Sequence, residues 1–373
     1  MTKAAELAKM GEVLTNSKIG GRRNIIINGG CKVNQRGSNG SSKTSGGDYA
    51  TDRFKTSLNG IGTWTIENVT DSPSEFSNSH KLTCTSADGS ISADDFAFCR
   101  YIIEARDLQQ LGFGTSDAKP FTLSFYVKSN KTGNATVEIN QQDASPIRRV
   151  ALQYTINQAD TWERKTLTVT GDTSGTINDD NGGGFEIYWW LRSGSTYIGG
   201  SHATTFADIN GNQRNASNLD VGATNNDTWQ ITGVQLEVGS QATPFEHRSF
   251  GEERQLCYRY YYRTPDRVAG GLGVNEAYPC FGNMDGTSTG AFIFIFPVPM
   301  RAAPTSFEQS GTASHYSVRV TGDQNGTSVP TATGFTSEKA LVNLATGGGF
   351  TSGDGAFMRS ENDDGFIAFS AEL

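Results

Sequence analysis

The feature that most constrains this chain is a side-chain period of two. Along Phe121-Thr122-Leu123-Ser124-Phe125-Tyr126-Val127-Lys128, the residues Phe121, Leu123, Phe125 and Val127 fall on one side, and polar residues with Tyr126 on the other. An extended backbone turns alternate side chains to opposite faces, so this segment predicts a strand buried on one face. Val150 to Ile156 and Thr166 to Val169 repeat the pattern, with turn-rich stretches such as Gly171 to Gly175 and Asn178 to Gly184 between the alternating runs. Many short strands joined by polar turns predict a mainly β protein, with an antiparallel, jelly-roll-like β-sandwich over residues 24–246.

The length of 373 residues exceeds one such domain, and with 35% hydrophobic residues and 44 glycines each unit has only a thin core to bury. Four segments are expected. Residues 1–23 form an N-terminal helical anchor segment, in which Leu7, Met10 and Leu14 repeat like a, d and a positions over residues 2–15. So short a helix needs neighbouring copies or a partner to hold it. The sandwich of 24–246 follows, and then a helix-to-strand connector over 247–263. Ser249-Phe250-Gly251-Glu252 fits a capping box at the start of the connector. Beyond it Tyr258, Tyr260 and Tyr262 would share a face in extended chain. Residues 264–373 make a smaller C-terminal β-sandwich after the break at Thr264-Pro265-Asp266.

In that last segment Ala291-Phe292-Ile293-Phe294-Ile295-Phe296 is apolar on both faces. Leaving alternate residues in water forgoes roughly 1.5 to 3 kcal/mol apiece. Either a loop or helix of the same chain covers the second face, or a neighbouring subunit does; the neighbour is the expectation taken here, and with it a homo-oligomer.

A formal net charge of -8, with acids and bases interspersed, does not suit nucleic acid. The N-terminal residues Lys3, Lys9, Lys18, Arg22, Arg23, Lys32 and Arg36 are the local exception, read as solvated charge. No stretch reaches the roughly 18 apolar residues of a membrane span, and no signal-peptide core precedes the fold, so a soluble chain made in a cytoplasm is expected. Cys31, Cys84, Cys99, Cys257 and Cys280 lack metal-ligand spacing and read as free, buried thiols.

No residue set points to catalysis. His80, His202, His247 and His315 are isolated and read as loop or surface residues. Asp94-Asp95 and Asp179-Asp180 read as turn formers rather than calcium ligands. Asn181-Gly182-Gly183-Gly184 lacks the Lys-Ser/Thr of a phosphate loop. Neither cofactor nor metal is expected.

The sharpest binding candidate is Phe185-Glu186-Ile187-Tyr188-Trp189-Trp190-Leu191-Arg192. If Phe185, Ile187, Trp189 and Leu191 face the core, Glu186, Tyr188, Trp190 and Arg192 share the opposite face. Rings stack on the apolar sides of sugars while Glu and Arg bond hydroxyls, so this face suits glycan. Aromatics and Arg are also enriched where subunits meet, and both readings stay open.

Several segments resemble those of a family of phage tail-fibre and virion appendage proteins, marine cyanophage-like, that carry a carbohydrate-binding-module-like jelly roll. They are Gly21-Arg22-Arg23-Asn24-Ile25-Ile26-Ile27-Asn28-Gly29-Gly30 with Val33 to Gly37, Tyr49-Ala50-Thr51-Asp52-Arg53-Phe54, Pro120 to Ser129, and the stretch Trp229 to Tyr262 containing Gly233 to Gly239 and Ala242 to Arg248. Pro297 to Thr305 and the ending Phe369 to Leu373 resemble the family's C-terminal module. The resemblance implies a non-catalytic structural subunit of a tail fibre on the virion, commonly a homotrimer. The family implies no one shared ligand; docking to other virion proteins through the N-terminal segment and host attachment through surface glycan are expectations set beside it. A glycan-degrading tailspike enzyme and a head fibre or capsid decoration protein are the alternatives. The resemblance supplies no catalytic residue.

Overall fold

The computed structural model describes residues 3, 22–37, 40–264, 280–361 and 364–373. The anchor helix expected over residues 2–15 therefore lies, apart from Lys3, outside the described residues. The chain divides into two compact units, Met1–Glu253 together with Leu373, and Arg254–Glu372.

Among the described residues twelve strands build the first unit: β1 Gly40–Lys43, β2 Gly46–Thr51, β3 Phe54–Asn59, β4 Thr63–Val69, β5 Ser79–Ser86, β6 Phe96–Glu104, β7 Phe121–Ser129, β8 Gly133–Gln141, β9 Arg148–Ile156, β10 Glu163–Val169, β11 Gly183–Ser193 and β12 Thr228–Val238. They form two six-stranded sheets, β1-β4-β5-β12-β7-β10 and β2-β3-β6-β11-β8-β9. Every pairing is antiparallel. This is the expected jelly-roll-like sandwich. Phe121, Leu123, Phe125 and Val127 of β7 are fully buried against Phe185, Ile187, Trp189 and Leu191 of β11 in one core cluster. The ring centres of Phe125 and Trp189 lie 5.9 Å apart, edge to face. The period of two read from the sequence is the period that fills this core, and each such side chain contributes about 1.5 to 3 kcal/mol.

A bulge interrupts the β12 register between Thr232 and Gln235. Gly233 takes φ +60 there, and a Cβ at this position would lie 2.6 Å from Cζ of Phe76, so the bend requires glycine.

One histidine departs from expectation. His80, read as a loop or surface residue, is buried on β5 and reaches across the sandwich to the other sheet, with Nε2 3.0 Å from Thr56 Oγ1 and Nδ1 3.2 Å from Thr51 Oγ1. Two neighbouring hydroxyls satisfy both ring nitrogens, which is what makes the burial tolerable. The five cysteines are buried, and burial pushes the Cys31 thiol up to about 12.

Helix α1, Phe250–Tyr258, starts where the capping box predicts, the Glu252 amide donating to Ser249 Oγ at 3.2 Å. It runs through Tyr258, so Tyr258, Tyr260 and Tyr262 do not share one extended face as expected; the next strand begins at Tyr261.

The second unit holds β13 Tyr261–Arg263, β14 Cys280–Met284, β15 Thr289–Ile295, β16 Ser306–Gln309, β17 Tyr316–Arg319, β18 Asp323–Asn325, β19 Thr331–Thr333, β20 Lys339–Ala345, β21 Gly355–Ser360 and β22 Ile367–Ser370. A three-stranded sheet, β13-β22-β16, is accompanied by a seven-stranded one, β18-β17-β21-β14-β15-β20-β19. Phe292, Phe294 and Phe296 of the two-sided apolar segment enter a core with Val342, Met358 and Phe369. Its other face stays open among the described residues, with Ile293 48% and Ile295 67% exposed, beside Phe281 at 70%.

Candidate functional site

Strand β11 is the centre of the second sheet in the first unit, between β6 and β8. Its register places Glu186 opposite Ile102 and Asn140, Tyr188 opposite Arg100 and Glu138, and Trp190 opposite Phe98. The outward face predicted from alternation is thereby built. Phe98 stands edge-on to Tyr188 at 4.8 Å and to Trp190 at 5.2 Å. These three rings form a small cluster separate from the main core.

The rings are not an open platform. The chain from Gly194 to Asn215 folds back over them and is tied to the edge strand β9 by Arg149 N to Ala207 O at 2.7 Å, Ala207 N to Arg149 O at 3.0 Å and Ala151 N to Ala203 O at 2.8 Å. It delivers Tyr197, 5.1 Å from Trp190, and Arg214, whose guanidinium lies 5.4 to 5.8 Å from the rings of Tyr188, Trp190 and Tyr197. Trp190 is left 1% exposed and Tyr188 7%. A sugar would find no free ring face on Trp190, and the chain itself supplies the cover that the sequence reading assigned to a ligand or a second subunit.

Underneath lies a buried charge knot. Glu138 of β8 accepts from Trp190 Nε1 at 2.9 Å and Arg214 Nε at 2.7 Å, with Arg149 Nε at 3.5 Å. Burial raises the Glu138 carboxyl above the usual range, while Arg214, Trp190 and Arg149 pull it back. Burial opposes the charge on Arg214, but the Glu138 carboxylate holds its pKa up. The fully buried Glu138 carboxylate persists because two guanidiniums that reach water at their edges pair with it.

Glu186 sits at the edge of this cover and is only partly buried. It accepts from Arg100 Nη1 at 3.1 Å and Gln142 Nε2 at 2.6 Å, and from the Tyr188 hydroxyl. Burial, then the Glu186 charge, pushes the Tyr188 phenol well above its ordinary value. Arg100 and Gln142, which bond it, are also half-buried, so a carboxylate, a guanidinium and an amide reach water together. Arg192 does not join them. It is drawn to Asp220 at 2.8 Å and to the carbonyls of Asp88 and Gly222, both at 2.9 Å.

Of the four predicted residues, then, Glu186 reaches the surface, the Tyr188 hydroxyl donates to it, Trp190 is tied to the buried Glu138, and Arg192 belongs to a separate loop anchor. Sequence reasoning missed Arg100, Glu138, Gln142 and Arg214. The alternation Thr136, Glu138, Asn140 along β8 was the available signal for Glu138.

The segments that carry the family resemblance converge elsewhere in the first unit. Asn24 is buried, its amide donating to Glu246 at 2.8 Å and its Oδ1 accepting from Ile26 N and Leu236 N at 3.0 and 3.1 Å. The Asn28 amide donates to Glu253 at 2.6 Å, and Arg248 reaches Ile26 O at 3.0 Å and Glu253 at 3.2 Å. Arg53 donates to Ile102 O at 2.6 Å with its guanidinium over the Tyr101 ring. Asn24, Asn28 and Arg248 fasten the entry segment to β12 and the start of α1, while Arg53 ties the β2–β3 turn to β6, a folding role.

Among the described residues no group of three His, Cys, Asp or Glu could hold a metal ion. Asp95 instead accepts from Ser92 N at 2.6 Å and Asp180 from Gly182 N at 2.8 Å, both as turn formers.

The fold and this face define a two-unit, antiparallel β-sandwich protein with a polar site at the rim of a covered aromatic cluster. No protein-family model matches the chain, and no curated protein matches it. Among solved structures it is similar to the enzymatically active domain of tailspike protein 4 of bacteriophage CBA120, at 15% identity and TM-score 0.31 over 58% of this chain and 21% of that one. It thus spans about a fifth of that protein's length. It is similar to a CBM4 structure at 16% identity and TM-score 0.29, over 57% of this chain and 97% of the other. The CBM22-1 xylan-binding domain of Xyn10C from Paenibacillus barcinonensis matches at 9% identity and TM-score 0.27, over 54% and 94%.

Proposed function

We propose that this chain is a non-catalytic structural subunit of a bacteriophage tail fibre, assembled as a homotrimer, and that it contributes to host attachment by binding surface glycan at Glu186. The phage reading rests on the sequence resemblance. The glycan reading is carried by one observation: Glu186, Arg100 and Gln142, pre-oriented by one another, reach water together on one face of the sheet. A carboxylate and a guanidinium held in fixed geometry bond neighbouring sugar hydroxyls with little ordering cost. Glu138, the other carboxylate on this face, is fully buried and paired with arginine, which suits a supporting role rather than acid–base chemistry.

Binding of the purified chain to host-surface polysaccharide tests this. Arg100→Ala and Glu186→Gln should each weaken binding roughly 10-fold, about one charge-assisted hydrogen bond, without lowering the unfolding midpoint by more than a few degrees. Unchanged binding by both variants contradicts the site, and release of soluble oligosaccharide contradicts the non-catalytic reading in favour of a degrading spike.

A further inference from the structure

Glu186 has a cross-strand neighbour that its hydrogen bonds do not use. The register sets Asn140 of β8 directly opposite Glu186 of β11, and Arg149 of β9 opposite Asn140. Directly opposed side chains leave a sheet on the same face, with Cβ atoms about 5 Å apart, so the Asn140 amide stands beside the Glu186 carboxylate. Asn140 is 2% exposed and its Oδ1 is buried without a hydrogen-bond partner, and its Nδ2 donates to no described residue. The buried amides of Gln141 and Asn215 are by contrast half engaged, Gln141 Nε2 donating to Gly175 O at 3.1 Å and Asn215 Nδ2 to Ser193 Oγ at 2.8 Å. A buried amide with neither end paired is rare in a folded protein, because it has given up water and gained nothing in its place. On the β6 side of Glu186, Arg100 Nε is also buried and unpaired, although Nη1 of the same guanidinium bonds Glu186.

We infer that Asn140 is a ligand-binding residue of the glycan site, bonding a sugar hydroxyl that also meets Glu186. The inference rests on the Glu186 reading and adds to it the group that recognises the sugar. A hydroxyl donates once and accepts twice. Among the described residues Glu186 Oε1 accepts from Arg100 Nη1 alone, while Oε2 accepts from Gln142 and from the Tyr188 hydroxyl. Oε1 therefore keeps a lone pair for a donor, and Asn140 Nδ2 offers a donor next to it. One sugar hydroxyl satisfies both, donating to the carboxylate and accepting from the amide. A ligand carboxylate or phosphate, which can only accept, would instead face the Glu186 charge, so this pair selects a hydroxyl. The bound hydroxyl supplies the partner that the folded chain alone leaves out.

Calorimetric titration of the full chain with host-surface polysaccharide, together with thermal unfolding in its absence, tests this on Asn140→Ala and on Asn140→Leu, which nearly keeps the volume. Both variants should bind roughly 10-fold more weakly than wild type and unfold at or above the wild-type midpoint, because neither carries an unpaired amide. Wild-type affinity in both variants, with Glu186→Gln still weakened, overturns the inference and leaves the Glu186 site standing; the amide then holds a water only. A midpoint several degrees lower in both variants also overturns it, since the amide would then be paired within the fold. A wild-type chain that binds no polysaccharide overturns the Glu186 reading and this inference with it.

Discussion

His80 shows how much one residue can hold while doing no chemistry. It spans the sandwich between two threonines, and burial depresses its pKa to about 4 from the ordinary 6.5. Above pH 6.5 the ring is neutral in folded and unfolded chain alike, so it makes no pH-dependent difference. As pH falls from 6.5 towards 4 the unfolded chain takes up a proton that the folded chain refuses, and stability drops by about 3 kcal/mol, levelling off below pH 4. Urea unfolding at pH 7 and pH 4 measures this. The fall should shrink by about that amount in His80→Gln, and an equal fall in both proteins would assign it to other groups. None of this is legible in the sequence, because a lone histidine looks the same whether its neighbours are water or two hydroxyls contributed by another sheet. Glu186 was legible, since alternation alone turns it outward. That Arg100 and Gln142 orient it depends on strand register, which the sequence does not print.

At the scale of elements, β-strands were read well and the pieces between them poorly. Strands β7 and β11 declare their buried faces by period, and the core follows. The segment from Gly194 to Asn215 has no period, yet it decides the fate of Tyr188 and Trp190 by placing Arg214 over them. The binding platform read from alternation is for this reason a buried cluster with an accessible rim. Arg214→Ala should cost about 3 kcal/mol, because it leaves the Glu138 carboxylate in a dry site with Arg149 as its remaining cation. Thermal unfolding should report that loss, and limited proteolysis should cut between residues 194 and 217 faster than in wild type. Equal cleavage and an unchanged midpoint would mean that the backbone pairing to β9 holds the segment without Arg214. Similar logic explains the family-like segments: Asn24, Asn28, Arg248 and Glu253 meet in one buried network, so their pattern reads as a requirement of the fold.

For the whole molecule, two surfaces stand out, and they differ in kind. The rim around Glu186 is polar, pre-ordered and partly sheltered, as a sugar site needs to be. The row that the register sets across β21, β14, β15 and β20, from Phe357 through Phe281 and Ile293 to Leu341, is apolar and partly exposed, with Arg319 and Lys339 beside it on the same face. The sequence foresaw the second as a strand with two apolar faces, because six consecutive apolar residues cannot hide an alternation; Phe281 and Phe357, which extend the row, come from distant strands and did not show. Glycan binding at the Glu186 rim is tested by hydrogen exchange of the full chain with and without host-surface polysaccharide. Slowed exchange confined to β6, β8, β11 and the segment 194–217 is the predicted result. Protection that falls only on other strands, or none at saturating polysaccharide, would contradict it.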